Sequence, residues 1–92
     1  MEKLEWETIE EILEKLAKRV SRVRKRKKIS QEQLSVISGV SFGSIKRFER
    51  TGQISLYSLT RIAIALDCVY EIKKLFTEVE YINIEEVFND KR

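Results

Sequence analysis

The chain has 92 residues, 42% hydrophobic and 36% charged, with a net charge of +3 and neither proline nor histidine. That is enough for one core, too apolar for wholesale disorder, and without an apolar run near the roughly 20 residues that span a bilayer. The lack of histidine removes the commonest general base and metal ligand, and the single cysteine, Cys68, excludes an internal disulfide, builds no zinc site and fits a reducing cytosol.

The start, MEKLEWETIEE, is acidic and helical in pattern, unlike a secretory signal. Ile9, Ile12, Leu13, Leu16, Val20 and Val23 recur at helical steps, which predicts a long first helix from about Glu5 to Lys27. Trp6 extends its apolar stripe. Lys28-Ile29-Ser30 breaks the repeat. Ser30 with Gln33 three residues on is a capping-box signature, starting a second helix over about 31–38 with Leu34 and Ile37 inward. Gly39-Val40-Ser41 is a tight connection, glycine suiting a positive φ at a helix C-terminus and Ser41 the next N-cap. The third helix, about 42–50, buries Ile45 and Phe48 and ends at Thr51-Gly52-Gln53. Ser55 caps a fourth, whose inward stripe is Leu56, Leu59, Ile62, Ala63 and Leu66. A fifth, about 69–76, offers Val69, Ile72, Leu75 and Phe76.

Glu80–Ile84 has the β-branched and aromatic character of a short strand, and Glu85–Asn89 suits one more helical turn. A lone strand cannot bury itself, so it either pairs with its copy in a second chain or packs as an extended tail on its own domain. The expected fold is an all-α domain of five helices over residues 1–76, followed by a tail or short strand at 77–92.

Charge is strongly segregated. Residues 1–14 hold six acids and one base, residues 15–28 nine bases and no acid, and residues 67–92 seven acids against four bases. An acidic start and basic end suit the macrodipole of the first helix, but nine bases with no intervening acid exceed that need. A basic centre between acidic ends suggests a polyanionic partner. The run RVRKRKK at 22–28 reads in three ways: a phosphate-contacting arm, a nuclear-localisation-like patch, or a helix on an anionic membrane. The membrane reading conflicts with the same helix giving its apolar face to the core. Long-range attraction to DNA is the favoured reading, with Lys27 and Lys28 as direct contacts. Three isolated glycines, at 39, 43 and 52, match no phosphate loop, and Glu7, Glu10, Glu11 and Glu14 suit a solvated helix face. No catalytic residue, metal or cofactor is expected.

The centre of the chain is more specific. Two short helices joined by Gly39-Val40-Ser41, the second with Lys46, Arg47 and Arg50 against the single acid Glu49, make a helix-turn-helix. Such a unit needs a turn residue tolerant of positive φ, small apolar contacts at the crossing (Leu34, Val40, Ile45), and a second helix with one side open to the major groove. SQEQLSVISGVSFGSIKRFERTGQISLYSLTRIAIAL resembles the lambda-repressor-like, Xre-type family of bacterial and phage DNA-binding domains. Ser30, Gln31, Leu34, Gly39, Val40, Ser41, Ile45, Glu49, Gly52 and Ser55 stand where family members typically carry these residues, and the resemblance covers about residues 16–76.

The resemblance implies roles. Gln31 would contact a phosphate, helped by the positive end of the second helix. Phe42, Gly43, Ser44 and Arg47 would meet base edges, Arg47 as a bidentate donor to guanine, Phe42 on a thymine methyl, and Gly43 by admitting the backbone. Lys46, Arg50 and Thr51 would reach phosphates, and Arg24 with Glu49 would form a structural salt bridge. Phe42 has a competing reading as a core or dimer-packing residue. The sequence departs from the family at Ser35, where alanine is usual, at the Phe42-Gly43 helix start, and in a loop at Arg50-Thr51-Gly52 one residue longer than in some relatives.

The functional expectation is a cytoplasmic regulator of transcription that binds double-stranded DNA, in its simplest form a homodimeric repressor. Its copies would pair through the fifth helix, the 79–84 strand or the amino-terminal helix. The alternative is an antitoxin that binds a toxin protein and represses its own operon, since VSFGSIKRFERTGQISL looks like members found beside kinase-type toxins. A third reading is a protein-bridging helix-turn-helix that reads no bases.

Overall fold

The computed structural model describes residues 6–78. Four of its five helices start where a serine or threonine hydroxyl takes up a backbone N–H that the helix itself leaves unpaired. Thr8 opens α1 (Ile9–Arg26), Ser30 opens α2 (Gln31–Ser38), Ser41 opens α3 (Phe42–Thr51) and Ser55 opens α4 (Leu56–Ala65). Each hydroxyl accepts from the amide three residues on at 3.0–3.1 Å. Glu11 and Gln33 accept in return from the Thr8 and Ser30 amides, which completes two capping boxes. A cap of this kind contributes about 1 kcal/mol. α5 (Val69–Lys74) follows Cys68 without a side-chain cap. α1 thus starts later than its apolar pattern suggests, and α5 ends at Lys74 rather than Phe76. The strand expected at 80–84 and the turn at 85–89 lie outside the described residues.

Seven buried apolar residues form the core: Ala17 of α1, Leu34 of α2, Val40 in the turn, Ile45 and Phe48 of α3, and Ile62 and Leu66 from α4 and its C-cap. Half-buried Val20, Val23, Ile29, Ile54 and Leu59 pack around them. α1 lies chiefly on α3, α2 on α3 and α4, and α4 on α5.

Several residues expected inward are not. Ile9 is 71% exposed and Ile12 50%, and Trp6 is also in solvent. α1 runs about 27 Å against about 15 Å for α3, and Leu13 already stands at the last turn of α3, so the residues before it overhang their partner. Ile37, Leu56, Leu75 and Phe76 are exposed as well. A 3.6-residue period marks a face; coverage needs a neighbour of sufficient length.

Both helices of the helix-turn-helix end on a glycine in the left-handed conformation. Gly39 closes α2 at φ 77°, and a Cβ there would run into the Arg61 guanidinium, which donates from Nε to the Ser38 carbonyl at 2.9 Å. Gly52 closes α3 at φ 81°, and a Cβ there would stand 2.5–2.6 Å from Leu13, backbone included. The left-handed conformation alone costs a non-glycine residue about 1–3 kcal/mol. Gly52→Ala is therefore expected to lose more than that in urea unfolding, because Leu13 cannot yield without moving α1. An unchanged midpoint would show that α1 is not fastened to this cap.

Candidate nucleic-acid interface

α3 has two faces. Ile45 and Phe48, one turn apart, are almost wholly buried and set the rotation of the helix. Phe42, Gly43, Ser44, Lys46, Arg47 and Arg50 are exposed. Behind them lies a buried ion pair. Arg24, 7% exposed, donates from Nε and Nη2 to the two carboxylate oxygens of Glu49 at 2.7 and 2.9 Å. Its Nη1 donates to the Ile29 carbonyl at 2.8 Å, and Gln31 Nε2 donates to Glu49 Oε1 at 2.9 Å. One carboxylate thus ties the end of α1, the start of α2 and the last turn of α3. Burial pushes the Glu49 carboxyl up, but hydrogen bonds from Arg24, Gln31 and Ser21, with the charge of Arg24, outweigh it and hold the group below its ordinary value of 4.5.

The outer residues differ in how much of their chemistry is already used. Phe42 is outside the buried core cluster, and Lys46 Nζ lies 4.9 Å from its ring centroid. Ser44 Oγ accepts from Ser41 Oγ at 2.8 Å and keeps its own proton to donate. Arg47 donates from Nη2 to Gln53 Oε1. Thr51 Oγ1 donates to the Arg47 carbonyl at 2.7 Å and accepts from the Gln53 amide at 3.1 Å. Its one hydroxyl proton is spent on a carbonyl of α3 itself, so in this arrangement the hydroxyl does not donate to phosphate. Gln31 retains one amide N–H beyond the bond to Glu49. Lys27 and Lys28 are exposed at the turn between α1 and α2. The structure gathers 42, 43, 44, 46, 47 and 50 on one helix, while 27, 28 and 31 lie at the α1–α2 junction, linked to α3 through Glu49. Gln53 was not foreseen: no helical period relates it to Arg47, and only the reversal at Gly52 joins them.

The five helices of the described residues, which hold α3 by its inner face and leave its outer face open, define a helix-turn-helix protein. The helix-turn-helix family pattern matches residues 20–70, more than half of the chain, which belongs to the lambda-repressor-like, Xre-type family of DNA-binding regulators. That family is regulatory and typically non-enzymatic. No curated protein matches the chain. Among the described residues no helix is long and apolar enough to cross a membrane.

Removing one partner of a buried ion pair strands the other. Glu49→Ala is expected to destabilise by about 3–5 kcal/mol, and Arg24→Met/Glu49→Leu by much less, in urea unfolding. The pH dependence has a definite sign. Because the folded-state value of Glu49 is lowered, its contribution is present above the unfolded value and fades as pH falls below about 4.5 through the folded one. The double variant should lose that part of the acid-side slope. Identical slopes in both proteins would place the acid sensitivity elsewhere.

Proposed function

We propose that two copies of the protein bind a palindromic duplex site, each with α3 in a major groove, and repress a promoter by occupying it. Gly43 carries this reading. It stands in the first turn of α3, where glycine costs about 1 kcal/mol of helix propensity against alanine, and beyond its chain neighbours and the adjacent backbone of its own helix nothing lies within 4 Å of where its Cβ would be. Folding has no use for a glycine there, whereas a surface approaching the backbone closely does. Ser44 and Arg47 would meet base edges beside it, with Phe42 on a thymine methyl. Lys46, Arg50, Lys27, Lys28 and the remaining N–H of Gln31 would hold phosphates, and Thr51 shapes the loop. Residues 1–76 act as one DNA-binding unit, with 77–92 available for pairing the copies.

A second reading is an antitoxin that binds a toxin protein and represses its own operon. An apolar groove lined by Leu16, Val20, Val23, Leu59, Ile72 and Leu75 supports it, since these walls belong to α1, α4, α5 and the C-cap of α5 and leave α3 open to DNA. A stoichiometric complex with the product of a neighbouring kinase-like toxin gene would favour this reading.

Selection of bound duplexes from a random library at near-physiological salt tests the main proposal. An enriched palindrome is expected. Arg47→Ala should remove preference at one position per half-site, worth about 1–3 kcal/mol, while Gln31→Ala should weaken all sequences alike. Salt-sensitive but sequence-blind binding would overturn the proposal. Gly43→Ala should hold or raise Tm and weaken binding to the selected duplex by about tenfold or more. Unchanged affinity would remove Gly43 from the contact surface.

A further inference from the structure

An exposed arginine has rotamer freedom that a base contact must freeze. Arg47 is already restrained, through its Nη2 bond to Gln53 Oε1. Gln53 is held in turn. Its backbone N–H donates to Thr51 Oγ1 at 3.1 Å, and the same hydroxyl donates to the Arg47 carbonyl at 2.7 Å. Gly52, between them, is set by its φ of 81° and by Leu13 packed against it, so the peptide that carries Gln53 is anchored to α1. A closed circuit therefore runs from the Arg47 carbonyl through Thr51 and Gln53 to the Arg47 guanidinium.

We propose that Gln53 is a positioning residue for base readout, holding the Arg47 guanidinium in the orientation that meets a guanine while making no base contact itself. The inference rests on Arg47 reading a base. A guanidinium offers five N–H donors, and giving one Nη2 proton to Gln53 leaves a two-donor edge for O6 and N7. An amide acceptor restrains the arginine without cancelling the charge that faces the phosphates, as a carboxylate would. Restraint before binding reduces the ordering that binding requires.

Affinities of the wild type, Arg47→Ala, Gln53→Ala, Gln53→Glu and Arg47→Ala/Gln53→Ala on the selected duplex and its single-base-pair variants test this, with Tm measured alongside. Gln53→Ala is expected to lose about three- to tenfold of preference at the base pair that Arg47 specifies. Its preferences elsewhere, its affinity for random duplex and its Tm should stay as in the wild type, and it should add no loss to Arg47→Ala. Gln53→Glu keeps the acceptor, so it should retain that preference while binding every duplex more weakly. Uniform weakening by Gln53→Ala would make Gln53 a phosphate contact, and lost preference at a different base pair would make it a reader. Either result, or no effect at all, overturns the proposal. Arg47→Ala that leaves every preference intact removes the underlying reading and the proposal with it, and that variant alone reveals it.

Discussion

The buried pair of Arg24 and Glu49 is the constraint on which the presentation of α3 depends. An arginine at 7% exposure must place its donors on acceptors, and here it reaches the Ile29 carbonyl and both oxygens of a carboxylate 25 positions away. The apolar contacts of Ile45 and Phe48 fix which side of α3 faces inward, but dispersion is non-directional and tolerates a small slide along the axis. A two-pronged ionic bond does not. The pair adds register more than raw stability, since apolar replacements of similar volume often fold as well. Gln31, donating to the same carboxylate, extends that register to the start of α2.

The pair also shapes the field outside the core. Glu49 is the one acid in α3, and its charge is met from behind by Arg24. Lys46, Arg47 and Arg50 therefore present positive potential with no acid of their own helix to offset it. The basic stretch of α1 divides in the same way. Arg24 serves the interior, whereas Lys25, Arg26, Lys27 and Lys28 remain exposed near the α1–α2 turn. A polyanion approaching from that side meets charge on two elements whose relative placement the interior fixes.

How much of this could be read in advance depended on range. Ser30, Ser41 and Ser55 act on amides three residues away, and Gly39 and Gly52 on a single φ, so the starts and ends of α2 and α3 were legible from local chemistry. Thr8 with Glu11 is the same signal, obscured by the acidic residues and apolar stripe around it. Coverage was legible only in part: Leu34, Ile45, Phe48, Ile62, Ala63 and Leu66 are buried as their spacing predicts, but the edges of the core were not legible. Ile9, Ile12, Ile37 and Leu56 have the right spacing yet no neighbour, while Ala17, the least conspicuous apolar residue of α1, is fully buried. The candidate interface was legible where it lies along one helix. The bonds among Arg47, Thr51 and Gln53 were not, because they pass through a chain reversal that no periodicity records.

Each turn glycine has its vacant side occupied by a part of the chain from outside the two helices it serves. The Arg61 guanidinium, from α4, lies over Gly39, and Leu13, from α1, presses on Gly52. The pair α2–α3 is clasped from both ends by distant segments, while Phe42, Gly43, Lys46 and Arg50 lie on the exposed exterior of α3. Variation can therefore act on the exterior of α3 without disturbing what holds it in place. Such an arrangement separates the exterior of α3 from the frame that displays it, so that side chains at 42, 43, 46 and 50 can change while the frame stays in place.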